Sequence, residues 1–235
     1  MIGNRISMKM IHEHAVWSDV NDIKRFTQNT TDNKRKRAKK TSSIILAAIQ
    51  YTQNYLMGLK KQNAYDAASI IFSDANWIKN GDKTDFIENG VKKKVKIGYT
   101  YYIDYGNNFN GEIGYYHHGL CIGKNNDKVL IVPTITGANI FANCYHPINN
   151  PNSRRNKRQA LKSEGFNKDC VLLINDTKYI SAGRIDKEVT KIDDGILKEI
   201  QMHVFPFNFQ KYMQSLLELK KKISSCQTRY WEKMK

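Results

Sequence analysis

The chain has 235 residues, of which 40% are hydrophobic, and carries 38 Lys and Arg against 22 Asp and Glu, a net charge of +16. That length and apolar fraction can build one large domain, or a small domain with additions, and exclude wholesale disorder. An excess of cations this large favours a polyanionic partner, nucleic acid being the usual one, but a solvated basic surface accounts for charge alone.

Residues 1–82 read as a helical extension. A first helix is expected over about His12–Thr27. It is followed by the run "NKRKRAKK" (33–40), which either frays into solvent or touches phosphates. In the next helix Ile45, Ala48, Ile49, Thr52, Leu56 and Leu59 recur at three- and four-residue spacing and predict one buried stripe, with Thr41, Ser42 or Ser43 as its cap. A further helix is expected from about Ala64 to Lys79.

Residues 83–205 change character. "TDFIENGVKKKVKIG" alternates around Asn89-Gly90, a strong hairpin signal. Tyr99–Asp104, Gly119–Gly123, Val129–Pro133 and Val171–Asn175 are short apolar strand candidates punctuated by Gly, Asn and Pro. Between the last two, residues 137–168 read as a long polar connection with a basic centre of Arg154, Arg155, Lys157 and Arg158, the kind of loop that carries function or moves. Asp193 or Asp194 can start a helix through Ile196, Leu197, Ile200 and Val204 that Pro206 ends or kinks. Residues 206–235 then continue as a terminal helix with Phe209, Tyr212, Met213, Leu216, Ile223 and Tyr230 on one face, packing on the rest.

The central order is strand, Gly-Asn loop, Glu-x-Gly, His-rich strand, hairpin, and strand ending in Thr: "IGYTYYIDYG", "GEIGYYHHGLCIG" and "KVLIVPTIT". Over about residues 94–205 this order resembles the MazF/PemK family of toxin endoribonucleases. Gly98, Tyr101 and Asp104 stand at the opening strand, Glu112 and Gly114 at the Glu-x-Gly segment, and Thr136 at the closing hydroxyl position. "DCVLLINDTKYISAGRI" and "DDGILKEIQMHVF" are similar to its final strand and helix. The resemblance implies an α+β chain with a small SH3-like β-barrel flanked by N- and C-terminal helices. It also implies metal-independent cleavage of single-stranded RNA by 2′-hydroxyl attack, with no cofactor, a toxin or defence role, an antitoxin partner and a homodimer.

Where that family has a catalytic Arg followed by Pro, this chain has His117 and His118. Either His117 takes over the Arg's role, or the domain only binds nucleic acid or protein on the same scaffold. Imidazole suits both proton-transfer steps and, when cationic, stabilises phosphorane charge. The expected catalytic set is thus His117, Thr136 and Glu112, the last orienting His117 or acting as base. Adjacent strand positions face opposite ways, which leaves His118 as a neighbouring binding or packing residue. Tyr105 and Phe109 are the expected base-stacking residues, and Arg154, Arg155 and Arg158 the expected backbone cations.

Other signals point less far. "HEH" at 12–14 lacks the i, i+4 spacing of a helical metal site. Arg5 and His12 fit a loose Arg-x6-His pattern similar to that of helical HEPN ribonucleases, which makes the N-terminal helices a rival site. A Cys121–His pair is a third possible reaction centre. Cys121, Cys144, Cys170 and Cys226 are widely spaced without C-x-x-C and read as reduced, buried thiols. Met1–Met10 has no apolar signal segment, and no apolar run approaches a membrane span, so the expected location is the cytoplasm.

Overall fold

The computed structural model describes residues 23–109 and 111–208, together with positions 214, 215, 218 and 220. The expected helix over His12–Thr27 therefore lies outside the described residues, apart from a 3₁₀ turn at Lys24–Thr27. The expected terminal helix beyond Phe209 lies outside them too, apart from those four helical positions. The chain divides into two compact units, Met1–Ala75 with Gly106–Glu112, and Asn76–Tyr105 with Ile113–Lys235.

In the first unit α1 (Thr31–Arg35) leads to α2 (Ser42–Leu59) and to α3 (Ala64–Asn80), whose last turn belongs to the second unit. Thr41 is the N-cap of α2, but its hydroxyl bonds Arg37 O rather than the helix amides. The stripe expected on α2 is not its buried face. Ile45, Ile49 and Leu56 are exposed, while Ala47 and Gly58 are buried and Asn54 and Tyr55 half-buried. The physical reason is that small residues admit a close neighbour. The helix turns its Ala47–Gly58 line inward, and the Tyr55 hydroxyl donates 2.6 Å to Asp74 on α3.

The second unit is an antiparallel sheet with helices, an α+β arrangement. The hairpin β1 (Phe86–Glu88) and β2 (Val91–Lys93) turns at Asn89 and Gly90, both left-handed with φ 52° and 76°, as a tight type I′ loop needs. The main sheet holds β3 (Tyr99–Asp104), β4 (Tyr116–Asn125), β5 (Lys128–Ile135), β6 (Lys157–Ala160), β7 (Cys170–Leu173), β8 (Lys178–Ser181) and β9 (Ile185–Lys191). Its order is β6-β7-β5-β4-β3-β9, with β8 also paired to β5. α4 (Ala138–Ala142) follows β5, and α5 (Asp194–Asn208) follows β9.

β4 and β5 read as near-continuous apolar runs because both faces of the sheet are covered. Leu120, Ile122 and Val132 join one core with Phe166, Leu172, Ile192, Ile200 and Val204. Cys121 and Ile131 join the other with Phe86, Tyr101, Ile103 and Tyr105. Asp193 caps α5 through Oδ1, which accepts from Gly195 N and Ile196 N at 2.8 and 3.1 Å. The helix runs through Pro206 to Asn208 instead of ending there.

The connection 137–168 is not a loop. It contains α4, β6 and a 3₁₀ turn at Lys162–Glu164. Its polar residues are spent internally. Gln159 Nε2 donates 2.8 Å to Phe141 O, and His146 Nδ1 accepts from Ile148 N and Asn149 N at 3.2 and 3.0 Å. Arg158, expected to be a cation for RNA, is fully buried. Its guanidinium is forked by Glu164 (3.0 and 2.6 Å) and Glu199 (3.1 and 2.6 Å), which tie β6 to the turn after it and to α5.

Candidate functional site

The core that holds Leu120, Ile122 and Val132 runs out toward one end of β4 and β5. There the same face presents Tyr116, His118, Thr134 and Thr136 in place of aliphatics. His118 lies opposite Tyr102 on β3, their rings 5.2 Å apart, and Tyr102 also meets Tyr116 at 5.1 Å. Thr134 Oγ donates 3.2 Å to His118 O across the strands. Phe166, Asn167, Lys168 and Cys170 close the other side of a hollow that Thr100, Tyr102, Tyr116, His117, His118, Thr134, Ile135 and Thr136 line. Its volume is about 90 Å³, several times the ~10–15 Å³ that one water centre occupies. Among the described residues no Asp or Glu lines it.

His117, His118 and Thr136 thus come together. Strand alternation gives the face shared with Tyr102 and Tyr116 to His118, while His117, paired with Ile103, takes the alternate position and still lines the hollow. Burial, with Lys168 nearby, holds the His118 imidazole below its ordinary value of 6.5, so it is mostly neutral at pH 7. Burial, then Asp104 and Asp186, keep the Tyr116 phenol firmly protonated. Burial also pushes the Cys170 thiol up to about 11. The Cys121 thiol is likewise raised to about 11, chiefly by burial, and sits fully buried in the opposite core, so neither sulfur is a ready nucleophile.

Other expected members lie elsewhere. Glu112 is exposed and belongs to the first unit, and it does not line the hollow. Phe109 belongs to the first unit too and is 82% exposed. Arg154 and Arg155 are exposed, and Arg155 rests 5.0 Å over the Tyr145 ring. Tyr105 is not a stacking residue. It is 3% exposed, its amide donates to Tyr115 O, and its hydroxyl lies against Gly119, where a Cβ would collide with it. Arg158 is the buried structural cation described above. The HEH stretch and the Arg-x6-His pattern lie outside the described residues.

Lys168, Tyr102 and Tyr116 are the functional candidates that sequence reasoning did not place. Lys168 comes from a bend fifty residues after His118 in the chain, and no local signal marks it. Tyr102 and Tyr116 belong to strands rich in aromatic residues, and only the register shows that they flank His118.

No protein-family model matches the chain, and no curated protein matches its sequence. Among the described residues, no helix is long and apolar enough to cross a membrane.

Proposed function

We propose that this chain is a metal-independent endoribonuclease that cuts single-stranded RNA through attack of the 2′-hydroxyl on the adjacent phosphorus. The scaffold we propose is an SH3-like barrel of the MazF/PemK kind, and the biological role is that of a toxin or defence effector. One observation carries the reading: a hollow that, among the described residues, is lined by no carboxylate and gathers two imidazoles, an ammonium, three threonine hydroxyls and two phenol rings. That set complements a phosphodiester and repels nothing in it.

In this reading neutral His118 accepts the 2′-OH proton as the 2′-oxygen bonds to phosphorus. Lys168 and the Thr136 hydroxyl donate to the equatorial oxygens, where negative charge grows in the transition state. The P–O5′ bond breaks as the leaving 5′-oxygen takes a proton from solvent water, giving a 2′,3′-cyclic phosphate and a 5′-hydroxyl, and His118 releases its proton to solvent. Tyr102 and Tyr116 offer flat faces for the flanking bases. The resemblance also carries an antitoxin partner and a homodimer into this proposal.

The test is cleavage of a labelled single-stranded RNA in EDTA, with end-group analysis of the products. A cyclic phosphate is expected. His118→Ala is expected to lower the rate by about 10²–10⁴-fold, the range for loss of one positioned proton-transfer group, with the circular dichroism spectrum unchanged. His117→Ala is expected to cost much less. Loss in His117→Ala with full activity in His118→Ala would return the role to His117. Salt-sensitive binding with intact RNA at every protein concentration would leave a nucleic-acid-binding module in place of an enzyme.

A further inference from the structure

The basic run 33–40 does not fray. Thr30 caps α1 by accepting 3.2 Å from Asn33 N, and Asn33 Nδ2 donates to Arg25 O and Gln28 O at 3.0 and 3.1 Å, pinning the preceding turn. The chain then turns again at Ala38–Lys40, where Lys40 N bonds Arg37 O and Thr41 N bonds Ala38 O, both at 2.9 Å. These two turns fold the run onto itself. Arg35, Lys36, Arg37 and Lys40 consequently line one hollow together with the Phe26 ring and Thr41. Lys34 and Lys39, from the same run, do not line it. Lys36 pairs with Asp32 at 2.6 Å, whereas among the described residues no carboxylate pairs with Arg35, Arg37 or Lys40.

We propose that this hollow is a docking site for the phosphodiester backbone of a single-stranded nucleic acid, separate from the hollow around His118 and independent of the reaction assigned there. Four cations in one concavity match closely spaced phosphates, and an aromatic ring beside them adds a surface on which a base stacks. A lipid surface fits less well. A membrane-lying helix carries Lys and Arg along its polar face, but α2, which follows the hollow, has no charged residue between Ser42 and Leu59, and the cations line a concavity. The site would hold a long RNA at a second point and so raise its effective concentration at the first.

The experiment uses the full chain and a fluorescein-labelled 2′-O-methyl oligouridylate of about a dozen nucleotides, long enough for several phosphate contacts. This probe has no free 2′-hydroxyl, so binding is read without cleavage. Anisotropy is followed from about 50 to about 200 mM salt. The triple variant Arg35→Glu/Arg37→Glu/Lys40→Glu is expected to weaken binding by at least about tenfold and to reduce the slope of log K against log salt by about 2, as for three lost contacts on a single strand. The control pair Lys34→Glu/Lys39→Glu is expected to cost far less, per charge reversed as well as in total, and Phe26→Ala to weaken a base-bearing probe more than an abasic one. Circular dichroism checks that each variant keeps its helices. Should a misfolded triple variant result, Arg35→Gln/Arg37→Gln is read instead, with a slope change of about 1.4. Equal losses from the two charge-reversal sets would reduce the site to net charge and overturn the proposal. So would unchanged binding in the triple variant, polyglutamate competing as well as the oligonucleotide, or loss of phosphatidylserine-vesicle binding alone.

Discussion

At residue scale, strand geometry separates the two adjacent histidines. His118 shares a face with Tyr102, Thr134 and Tyr116, and its depressed basicity comes from burial first and Lys168 second. The acidic limb of kcat/KM reports the ionisation of the free enzyme's base. It is therefore expected below pH 6.5, because a base held neutral keeps working as protons become more available. Removing the cation in Lys168→Met takes away one of the two lowering causes. The limb is then expected to move up toward 6.5 while the maximal rate falls. A limb that stays in place in a stopped-flow pH series on that variant would detach Lys168 from His118.

Among elements, the joint between β6 and α5 rests on Arg158. A buried cation forked by two carboxylates contributes little beyond a well-packed apolar replacement, but breaking it leaves buried charge without compensation. Arg158→Met is therefore expected to cost about 3–5 kcal/mol in urea unfolding, since Glu164 loses the partner that offsets its burial. Arg158→Met/Glu164→Leu is expected to recover part of that loss, which a simple cavity effect would not. Sequence reading placed Arg158 in a mobile basic loop because its two anions are separated from it by very different chain distances. Glu164 is six residues away and Glu199 forty-one, and only the second arrives through α5.

For the whole molecule, stability should fall with acid in two stages. His118 and His203 are both held below 6.5 chiefly by burial, so the unfolded chain takes up protons first and stability declines as pH drops through that value. Glu164 is raised by burial and lowered further by Arg158 and the Leu161 amide, for a net depression below 4.5. Its contribution is complete above that pH and is lost as pH falls through the lower folded value. Urea midpoints are expected to hold steady above about pH 7, dip below 6.5 and drop more steeply below 4.5. The second drop should shrink in Arg158→Met, where the guanidinium no longer depresses Glu164. A net charge of +16 adds self-repulsion that grows in acid.

The sequence alone determined the features that depend on near neighbours. It set the hairpin at Asn89-Gly90, the extent of β3 at Tyr99–Asp104, a helix reaching Leu59 from a cap at Thr41, Ser42 or Ser43, a helix from about Ala64 to Lys79, and a helix start at Asp193 or Asp194. Each follows from local dihedral preference or from a period of two or 3.6, which a short window contains. The family resemblance brought His117, His118 and Thr136 into one reading, and the pairing of β4 with β5 sets them along one hollow. Tertiary structure decided what needs distant chain: the inward line of α2, the burial of Tyr105 over Gly119 and of Arg158 between two glutamates, and the arrival of Lys168 beside His118. Burial and charge pairing depend on which remote segments close over a residue, and no local pattern encodes that closure.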